Sequence, residues 1–313
     1  MRIMGSGLEF EVRRSRPIVS MTMRSAFDHQ LLGEALKVGA KLSENTLCQK
    51  VTVARDWAEV ESTRGRYRGR FVLAADGVNS QVARSLNWPH HPFAIPALEW
   101  ELAVPTTIHD EYANRAVFDF NATDAGYGWV FPKRDHLSVG ILSTKRGTRK
   151  LKGSLENYLR AIGIPFDQPL RRSGHQIPVH PRASLTKARI LLLGDAAGIA
   201  EPVTGEGISL AILSGRLAAQ ALIEHAMRSP DSERAYENQV KSQIGRELRW
   251  GRLVAALTYD YPKVRDSLFR RQGQRLCEVM TDIFMGDSSY RSLALHPTNY
   301  LNLLRRFPGS KPG

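Results

Sequence analysis

One stretch of the sequence, residues 189–227, limits the folds that the chain can adopt. It begins with an apolar run at 190–193, which is short enough for a buried strand. Gly194 and Asp195 follow, and after a loop of small residues the segment 204–207 opens a long apolar helix. A strand that ends in an acid and leads into a glycine-rich helix start is typical of ligand binding. The alternative is a buried strand–helix unit that has a glycine turn and no ligand.

The residue types in this stretch suit a ligand with hydroxyl groups and a flat ring. The carboxylate of Asp195 can accept hydrogen bonds from ribose hydroxyls. The start of the helix offers unpaired N–H groups and the positive end of the helix dipole. Gly205 and Gly207 leave room for a ring to lie directly on the backbone.

The charge and the cysteines restrict the compartment and the partners. A net charge of +13 is either an ordinary solvated surface or an attraction to anionic lipids or phosphorylated substrates. The basic residues are spread along the chain without a nucleic-acid motif, so no nucleic-acid partner is predicted. Cys48 and Cys277 lie far apart and form no metal motif, which favours a reducing cytoplasm. No apolar run is long enough to predict a transmembrane helix.

Hydrophobic periodicity predicts three regions along the chain. An amphipathic helix that begins near Arg24 and ends at Gly39 precedes strands at 47–54, 58–63 and 67–75, and the third strand ends in Asp76. Between 87 and 185, alternating apolar segments at 97–104, 115–120, 128–131 and 137–142 predict an antiparallel sheet. A helix at 155–162 and a loop at 174–178 follow. Amphipathic helices are predicted at 232–257 and 264–285, the second with a basic side.

Four motifs in this order resemble the geranylgeranyl reductase family, flavin enzymes of the aromatic-hydroxylase fold group. They are RxxFDxxL from residue 24, ADGxxSxxAR from 75, GYGWVFPK from 126, and GDAAG from 194 with TGEGI from 204. The resemblance implies FAD as cofactor, with NAD(P)H or ferredoxin as the electron donor. It implies that Arg24 contacts the phosphates or ribityl chain, that a backbone group of Cys48 meets the adenine, and that Asp195 binds ribityl hydroxyls. It also places Gly205, Gly207 and Ile208 at the pyrimidine end of the flavin ring.

The third motif points to the substrate. Tyr127, Trp129 and Phe131 alternate on a strand and therefore share a face, where they could line a wall for an isoprenoid chain. Core packing of the sheet explains the same pattern. Lys133 could meet a substrate phosphate or headgroup, or be solvated. His175 could donate a proton to a reduced double bond, although a structural role is favoured.

The sequence departs from the family at its beginning. The family starts with a strand–GxGxxG–helix unit for the FAD pyrophosphate, whereas Gly5 and Gly7 precede the segment Leu-Glu-Phe-Glu. We therefore expect the residues to enter the family pattern after that unit, as in a truncated product, a misplaced start or one half of a split protein. Loss of the central strand would expose apolar surface and remove the pyrophosphate cradle.

The predicted fold class is α/β (α+β). It comprises an N-terminally incomplete, Rossmann-like FAD-binding part, an antiparallel-sheet substrate domain and C-terminal helices. The predicted bounds are 1–86 with 186–228, then 87–185, and then 229–313. The predicted function is reduction of isoprenoid double bonds on a geranylgeranyl lipid or diphosphate. The alternatives are a flavin monooxygenase or halogenase of the same fold group, and an inactive remnant that binds a partner or an anionic membrane. The predicted location is the cytoplasm, either free or attached peripherally to a membrane.

Overall fold

The computed structural model describes residues 1–89, 94–144 and 150–295. Its strands are β1 (Arg2–Gly5), β2 (Leu8–Glu11), β3 (Cys48–Val53), β4 (Ala58–Ser62), β5 (Gly65–Gly69), β6 (Val72–Ala74), β7 (Ile95–Leu102), β8 (Val117–Asp119), β9 (Gly126–Pro132), β10 (Leu137–Ser143), β11 (Arg171–Ile177), β12 (Thr186–Lys187) and β13 (Ile190–Leu192). Its helices are α1 (Arg24–Lys37), α2 (Gln81–Ser85), α3 (Thr106–Tyr112), α4 (Leu151–Ala161), α5 (Gly194–Ala197), α6 (Ile208–Glu224), α7 (Asp231–Val240), α8 (Arg246–Tyr259), α9 (Pro262–Phe284) and α10 (Tyr290–Leu295), with a π-helical segment at Lys241–Gly245 between α7 and α8. Among the described residues, no helix is long and apolar enough to cross a membrane.

The largest sheet has seven strands in the order β11-β7-β10-β9-β8-β1-β2. Neighbouring strands are antiparallel except β1 and β8, which are parallel. The structure therefore confirms the predicted antiparallel sheet in the middle of the chain. It corrects the predicted loop at 174–178, because residues 171–177 form β11 and pair with β7 from Arg171 to Ile177. Continuous backbone pairing at this edge outweighs the turn signals of Gly174 and Pro178.

The first eleven residues lie in this sheet rather than beside the dinucleotide-type strands. Ile3 of β1 pairs with Phe118 of β8, and β2 pairs with β1. The apolar side chains of Met1, Ile3 and Val12 are buried in the same core as Phe118. The first segment of the chain thus pairs within the large sheet, and the predicted domain bounds stay a prediction.

Each face of the seven-stranded sheet has its own core. On one face, Val130, Val139 and Ile141 pack against Leu155 and Leu159 of α4. On the other face lie Tyr127, Trp129 and Phe118, against Phe269 and Cys277 of α9. The alternation of β9 residues between the two cores is what the strand pattern predicts. The C-terminal helices therefore cover the face that carries the aromatic motif.

A smaller sheet, in the order β12-β13-β6, holds the parallel strands. β13 pairs in parallel with β6, from Ile190 opposite Val72 to Leu192 opposite Ala74. The single strand predicted at 67–75 is wrong in this respect, because β5 pairs with β4 in a separate three-stranded sheet and only β6 joins β13. Since the two parallel strands end side by side, Asp195 and Asp76 follow neighbouring strand ends.

Several apolar side chains near these elements are exposed. Helix α1 has no buried residue, although Leu31 and Leu36 belong to its amphipathic pattern. β6 forms an edge of its sheet among the described residues, and Leu73 on it is exposed. Ile223 of α6 is also exposed. The helices predicted at 232–257 and 264–285 are confirmed, with α7, the π-helical segment and α8 occupying the first range.

Replacement of Gly140 on β10 by alanine should destabilise the protein by about 1–3 kcal/mol. A Cβ atom at this position would lie 2.1 Å from Cζ2 of Trp129 and 2.5 Å from the Leu98 carbonyl oxygen. The ring of Trp129 covers Gly140 directly across the strand pair, so neither group can move freely. Urea unfolding measures the effect. The control is Gly153→Ala in α4, where nothing lies within 4 Å of the new Cβ, and it should be neutral or slightly stabilising. Equal effects of the two substitutions would contradict the packing described.

Candidate functional site

The centre of the candidate site is the turn between β13 and α5. β13 is fully buried, and the Tyr236 hydroxyl donates to the Leu192 carbonyl oxygen at 2.7 Å. Gly194 then adopts a φ of +51°, and its N–H donates to the Ser214 hydroxyl at 3.0 Å. These contacts fix the turn and hold Asp195, which is half-buried, at the end of the strand. The predicted strand, acid and helix are therefore confirmed as one unit.

The loop from 201 to 207 is held by side chains from distant parts of the chain. The carboxylate of Glu201 accepts from the backbone N–H of Val203 at 2.8 Å and of Thr204 at 2.6 Å. It also accepts from the hydroxyl of Tyr290. Burial nevertheless raises the pKa of Glu201, since these hydrogen bonds only partly offset desolvation. The hydroxyls of Tyr127 and Tyr259 donate to the carbonyls of Thr204 and Val203.

This set of loop contacts was not found by sequence reasoning. Glu201, Tyr259 and Tyr290 belong to no motif, and nothing in their spacing relates them. The sequence predicts a substrate wall or core packing for Tyr127, and neither alternative includes the bond from its hydroxyl to the loop. The only available signal was that a glycine-rich loop needs fixed partners for its carbonyl groups once it is buried.

Asp195, the loop and the start of α6 converge. Oδ1 of Asp195 lies 3.4 Å from the position that a Cβ on Gly207 would occupy, so a larger residue there would crowd the carboxylate. Gly205 has a φ of +73°, a left-handed conformation that favours glycine. Among the described residues, no hydrogen bond occupies the N–H groups of Gly207 and Ile208. Two donors and a carboxylate therefore face the same space.

Charged groups surround Asp195. Burial raises the pKa of Asp195, the positive charges of Arg24 and His175 oppose this rise, and Glu206 adds to it. Arg24 is the first residue of α1, and its guanidinium donates twice to Asp28, at 3.0 Å to each oxygen. The structure thus brings Arg24 and Asp195 into electrostatic range of each other.

Cys48 lies on a different sheet, at the start of β3. It begins β3 opposite Ser62, and burial together with the negative charge of Asp76 raises the pKa of its thiol. Asp76 accepts the N–H of Val82 at 3.1 Å, which agrees with a structural role at the start of α2. Cys48 and Cys277 are both free thiols. The contact between Cys48 and an adenine stays a prediction.

The aromatic motif forms a continuous stack on one face of β9. The ring centroids of Tyr127 and Trp129 are 5.9 Å apart, and those of Trp129 and Phe131 are 6.2 Å apart. Phe118 touches the rings of Tyr127, Phe131 and Phe284, so much of this face is core packing. Phe131 is only half-buried, and the buried Nε1 of Trp129 has no hydrogen-bond partner among the described residues. The stack therefore has features of both predicted alternatives, core packing and a wall for an isoprenoid chain. The substrate role stays a prediction.

Lys133 has a partner within the protein. Its ammonium donates to the carbonyl of Thr22 at 2.9 Å, which ties the end of β9 to the segment before α1. A half-buried lysine bonded to backbone is not a freely solvated one. Its predicted contact with a substrate phosphate or headgroup would use the remaining two donors of the ammonium.

The residues fit the flavin part of FAD. The free N–H groups at the start of α6, the glycines that leave room beside them and the carboxylate of Asp195 form a cradle that added Cβ atoms would fill. Gly207 and Ile208 would meet the electron-rich edge of the ring, and Asp195 the ribityl hydroxyls. Within the described ranges no strand–GxGxxG–helix unit accompanies this cradle.

Comparison with known proteins gives one family match and many relatives. Residues 6–243 match the family model described as "FAD binding domain". The chain is 37% identical over 162 residues to a chloroplastic geranylgeranyl diphosphate reductase of Arabidopsis thaliana, covering 49% of this chain and 33% of that protein. It is 28% identical over 288 residues to a digeranylgeranylglycerophospholipid reductase of Methanosphaerula palustris, covering 87% of this chain and 69% of that protein. The chain thus spans about a third of the plant relative.

A solved structure shares the fold. The geranylgeranyl bacteriochlorophyll reductase-like protein of Thermoplasma acidophilum superposes with a TM-score of 0.77 at 22% identity, covering 97% of this chain and 81% of that one. At this identity the likeness shows the fold alone. It confirms the predicted fold class, and the family match confirms FAD as the predicted cofactor. The resemblance to geranylgeranyl reductases is confirmed as well.

Replacement of Asp195 by alanine should weaken FAD binding about tenfold or more, because a carboxylate that accepts hydroxyl hydrogen bonds is lost. Quenching of flavin fluorescence during titration with FAD measures the affinity. The control, Asp110→Ala, removes an exposed acid from α3 and should leave the affinity unchanged. Equal affinities of Asp195→Ala and the unaltered protein would remove Asp195 from the cofactor site.

Replacement of Asp195 by asparagine should also change how stability depends on pH. Burial raises the pKa of Asp195 in the folded state, so ionisation of this carboxyl disfavours folding. Asparagine avoids this penalty. The free energy of unfolding of Asp195→Asn should therefore gain on that of the unaltered protein as the pH rises above about 4.

The matched control for this experiment is Asp231→Asn. A hydrogen bond from Arg234 lowers the pKa of Asp231. The free energy of unfolding of this variant should therefore fall relative to that of the unaltered protein as the pH rises. Urea unfolding of the cofactor-free protein from about pH 3 to pH 7 measures both trends. Trends of the same sign in the two variants would contradict the electrostatic description of Asp195.

Proposed function

The chain belongs to the FAD binding domain family, and from this premise we propose that it is an FAD-dependent oxidoreductase. In this proposal it reduces isoprenoid double bonds on a geranylgeranyl lipid or diphosphate. The names of the relatives, which are reductases of geranylgeranyl diphosphate and of digeranylgeranylglycerophospholipid, support the substrate class. The predicted electron donor, NAD(P)H or ferredoxin, is part of the proposal.

A single observation carries the proposal. The hydroxyl of Tyr127 is bonded to the carbonyl of Thr204, so the aromatic strand is attached directly to the flavin loop. An apolar chain that met the half-buried Phe131 would lie on the same strand as Tyr127, whose hydroxyl holds this loop. FAD, when bound and reduced, supplies the hydride for such a double bond.

The residues of this chain hold charge and exclude water. The N–H groups of Gly207 and Ile208, together with the dipole of α6, would stabilise negative charge at the edge of the ring. Asp195 would fix the ribityl chain, with Arg24 near the phosphates. The aromatic face of β9 would exclude water from the reacting double bond. His175 lies near Asp195 on an exposed strand, where its structural role and its role as proton donor remain alternatives.

We also propose a cytoplasmic location with peripheral attachment to a membrane. The net charge of +13 suits an anionic surface, and a geranylgeranyl lipid would be met there. The alternatives from the sequence, a monooxygenase or halogenase of the same fold group and an inactive remnant, become outcomes of the test below.

The test uses the FAD-loaded protein with dithionite as reductant and geranylgeranyl diphosphate as substrate. Mass spectrometry should show products that have gained hydrogen atoms in pairs. Phe131→Ala should raise KM about tenfold, because an apolar contact with the chain is lost, while FAD affinity stays the same. The control is Trp57→Leu in the turn between β3 and β4, where the ring packs against Arg68.

Three results would count against this function. An FAD-loaded protein that leaves the isoprenoid unreduced but hydroxylates or halogenates an aromatic compound would favour the monooxygenase alternative. A protein that binds FAD and transforms neither kind of compound would favour the inactive remnant. An unchanged KM in Phe131→Ala would remove the β9 face from the substrate site.

A further inference from the structure

Exposed apolar side chains cluster around the junction of α8 and α9. They are Leu253, Leu257, Tyr261, Val264 and Leu268, with exposed fractions from 39% for Leu268 to 57% for Tyr261. Leu253 and Leu257 lie four residues apart on α8, Val264 and Leu268 lie four residues apart on α9, and Tyr261 lies between the two helices. We call this set the junction ridge.

The opposite sides of the same helices are filled. Tyr259 is buried and bonded to the carbonyl of Val203, and Phe269 is buried against Phe10 and Phe120. The inner contacts of α8 and α9 are thus made by residues other than those of the ridge. The ridge is a separate, outward apolar surface, and single exposed leucines would not need this explanation.

Basic residues flank the ridge. Arg249 on α8, with Lys263 and Arg270 on α9, are exposed beside it. Residues 246–271 include seven arginines or lysines and three acids. Of these acids, Asp266 is paired with Arg265 at 3.1 Å. The surface therefore combines protruding apolar groups with unbalanced positive charge.

We propose that the junction ridge inserts into the headgroup region of an anionic phospholipid bilayer. Helices that carry apolar groups between cationic ones lie in the plane of such an interface, with the apolar side chains buried below the phosphates. This proposal rests on the peripheral membrane attachment proposed above, and the junction ridge is the surface that would contact the membrane. The hydroxyl of Tyr259 connects α8, which carries part of the ridge, to the loop at Val203.

Sedimentation with lipid vesicles tests the proposal. The protein should bind vesicles that contain phosphatidylglycerol, bind vesicles of phosphatidylcholine alone more weakly, and lose affinity as salt is added. The double variant Leu257→Glu, Val264→Glu should bind the anionic vesicles at least about tenfold more weakly, because it loses apolar contacts and gains negative charge.

The matched control is Ile223→Glu on α6, where the side chain is 74% exposed but lies outside the ridge. It should bind vesicles as the unaltered protein does, and circular dichroism should show the same helix content in all variants. Absence of binding at low salt, or equal binding by the double variant and the control, would overturn the proposal.

A separate assay keeps this result distinct from the proposed function. Reduction of water-soluble geranylgeranyl diphosphate without vesicles should be the same in the double variant and the control. Vesicle binding without reductase activity would count against the enzyme function alone. Reductase activity without vesicle binding would count against the ridge alone.

Discussion

The site depends on the buried carboxylate of Glu201. It holds the two N–H groups that follow it, and it receives a hydroxyl from Tyr290, close to the end of the described chain. Two more tyrosines bind the carbonyl groups of the same loop, one from the central sheet and one from α8. Burying this acid is unfavourable, as its raised pKa shows, and the hydrogen bonds offset much of that penalty. These hydrogen bonds hold the backbone that would face the flavin.

This arrangement explains why the sheet and the C-terminal helices matter to a cofactor site built on a strand and a helix. β13 and α6 supply Asp195 and the helix start, but they leave the intervening loop without partners for its carbonyl groups. Tyr127 from β9 and Tyr259 from α8 supply those partners. The aromatic face of β9, the loop at 201–207 and helix α8 are therefore connected by hydrogen bonds, and a change in one should affect the others.

Local features of the sequence predicted most of this fold. The alternating faces of β9 are recognisable because burial of one face imposes a period of two on a strand. β13 and α6 are recognisable because the turn between them requires small residues and glycines. Pairings between distant segments were harder. Nothing local shows that residues 2–5 pair with 117–119, or that 171–177 pair with β7 in spite of a glycine. Glu201 and its tyrosines are invisible for the same reason, since each side chain is ordinary until the fold brings them together.

The edge position of β6 has a consequence for handling the protein. Among the described residues no strand pairs with its other side, which presents backbone donors and acceptors, and Leu73 is exposed. Such an edge is a template on which another extended segment can pair, including the same segment of a second molecule. Since β6 has only three residues, this pairing would be short and weak at low concentration. Purification at high concentration would therefore favour self-association through this strand. The tendency to associate would be lower when another segment pairs with that edge.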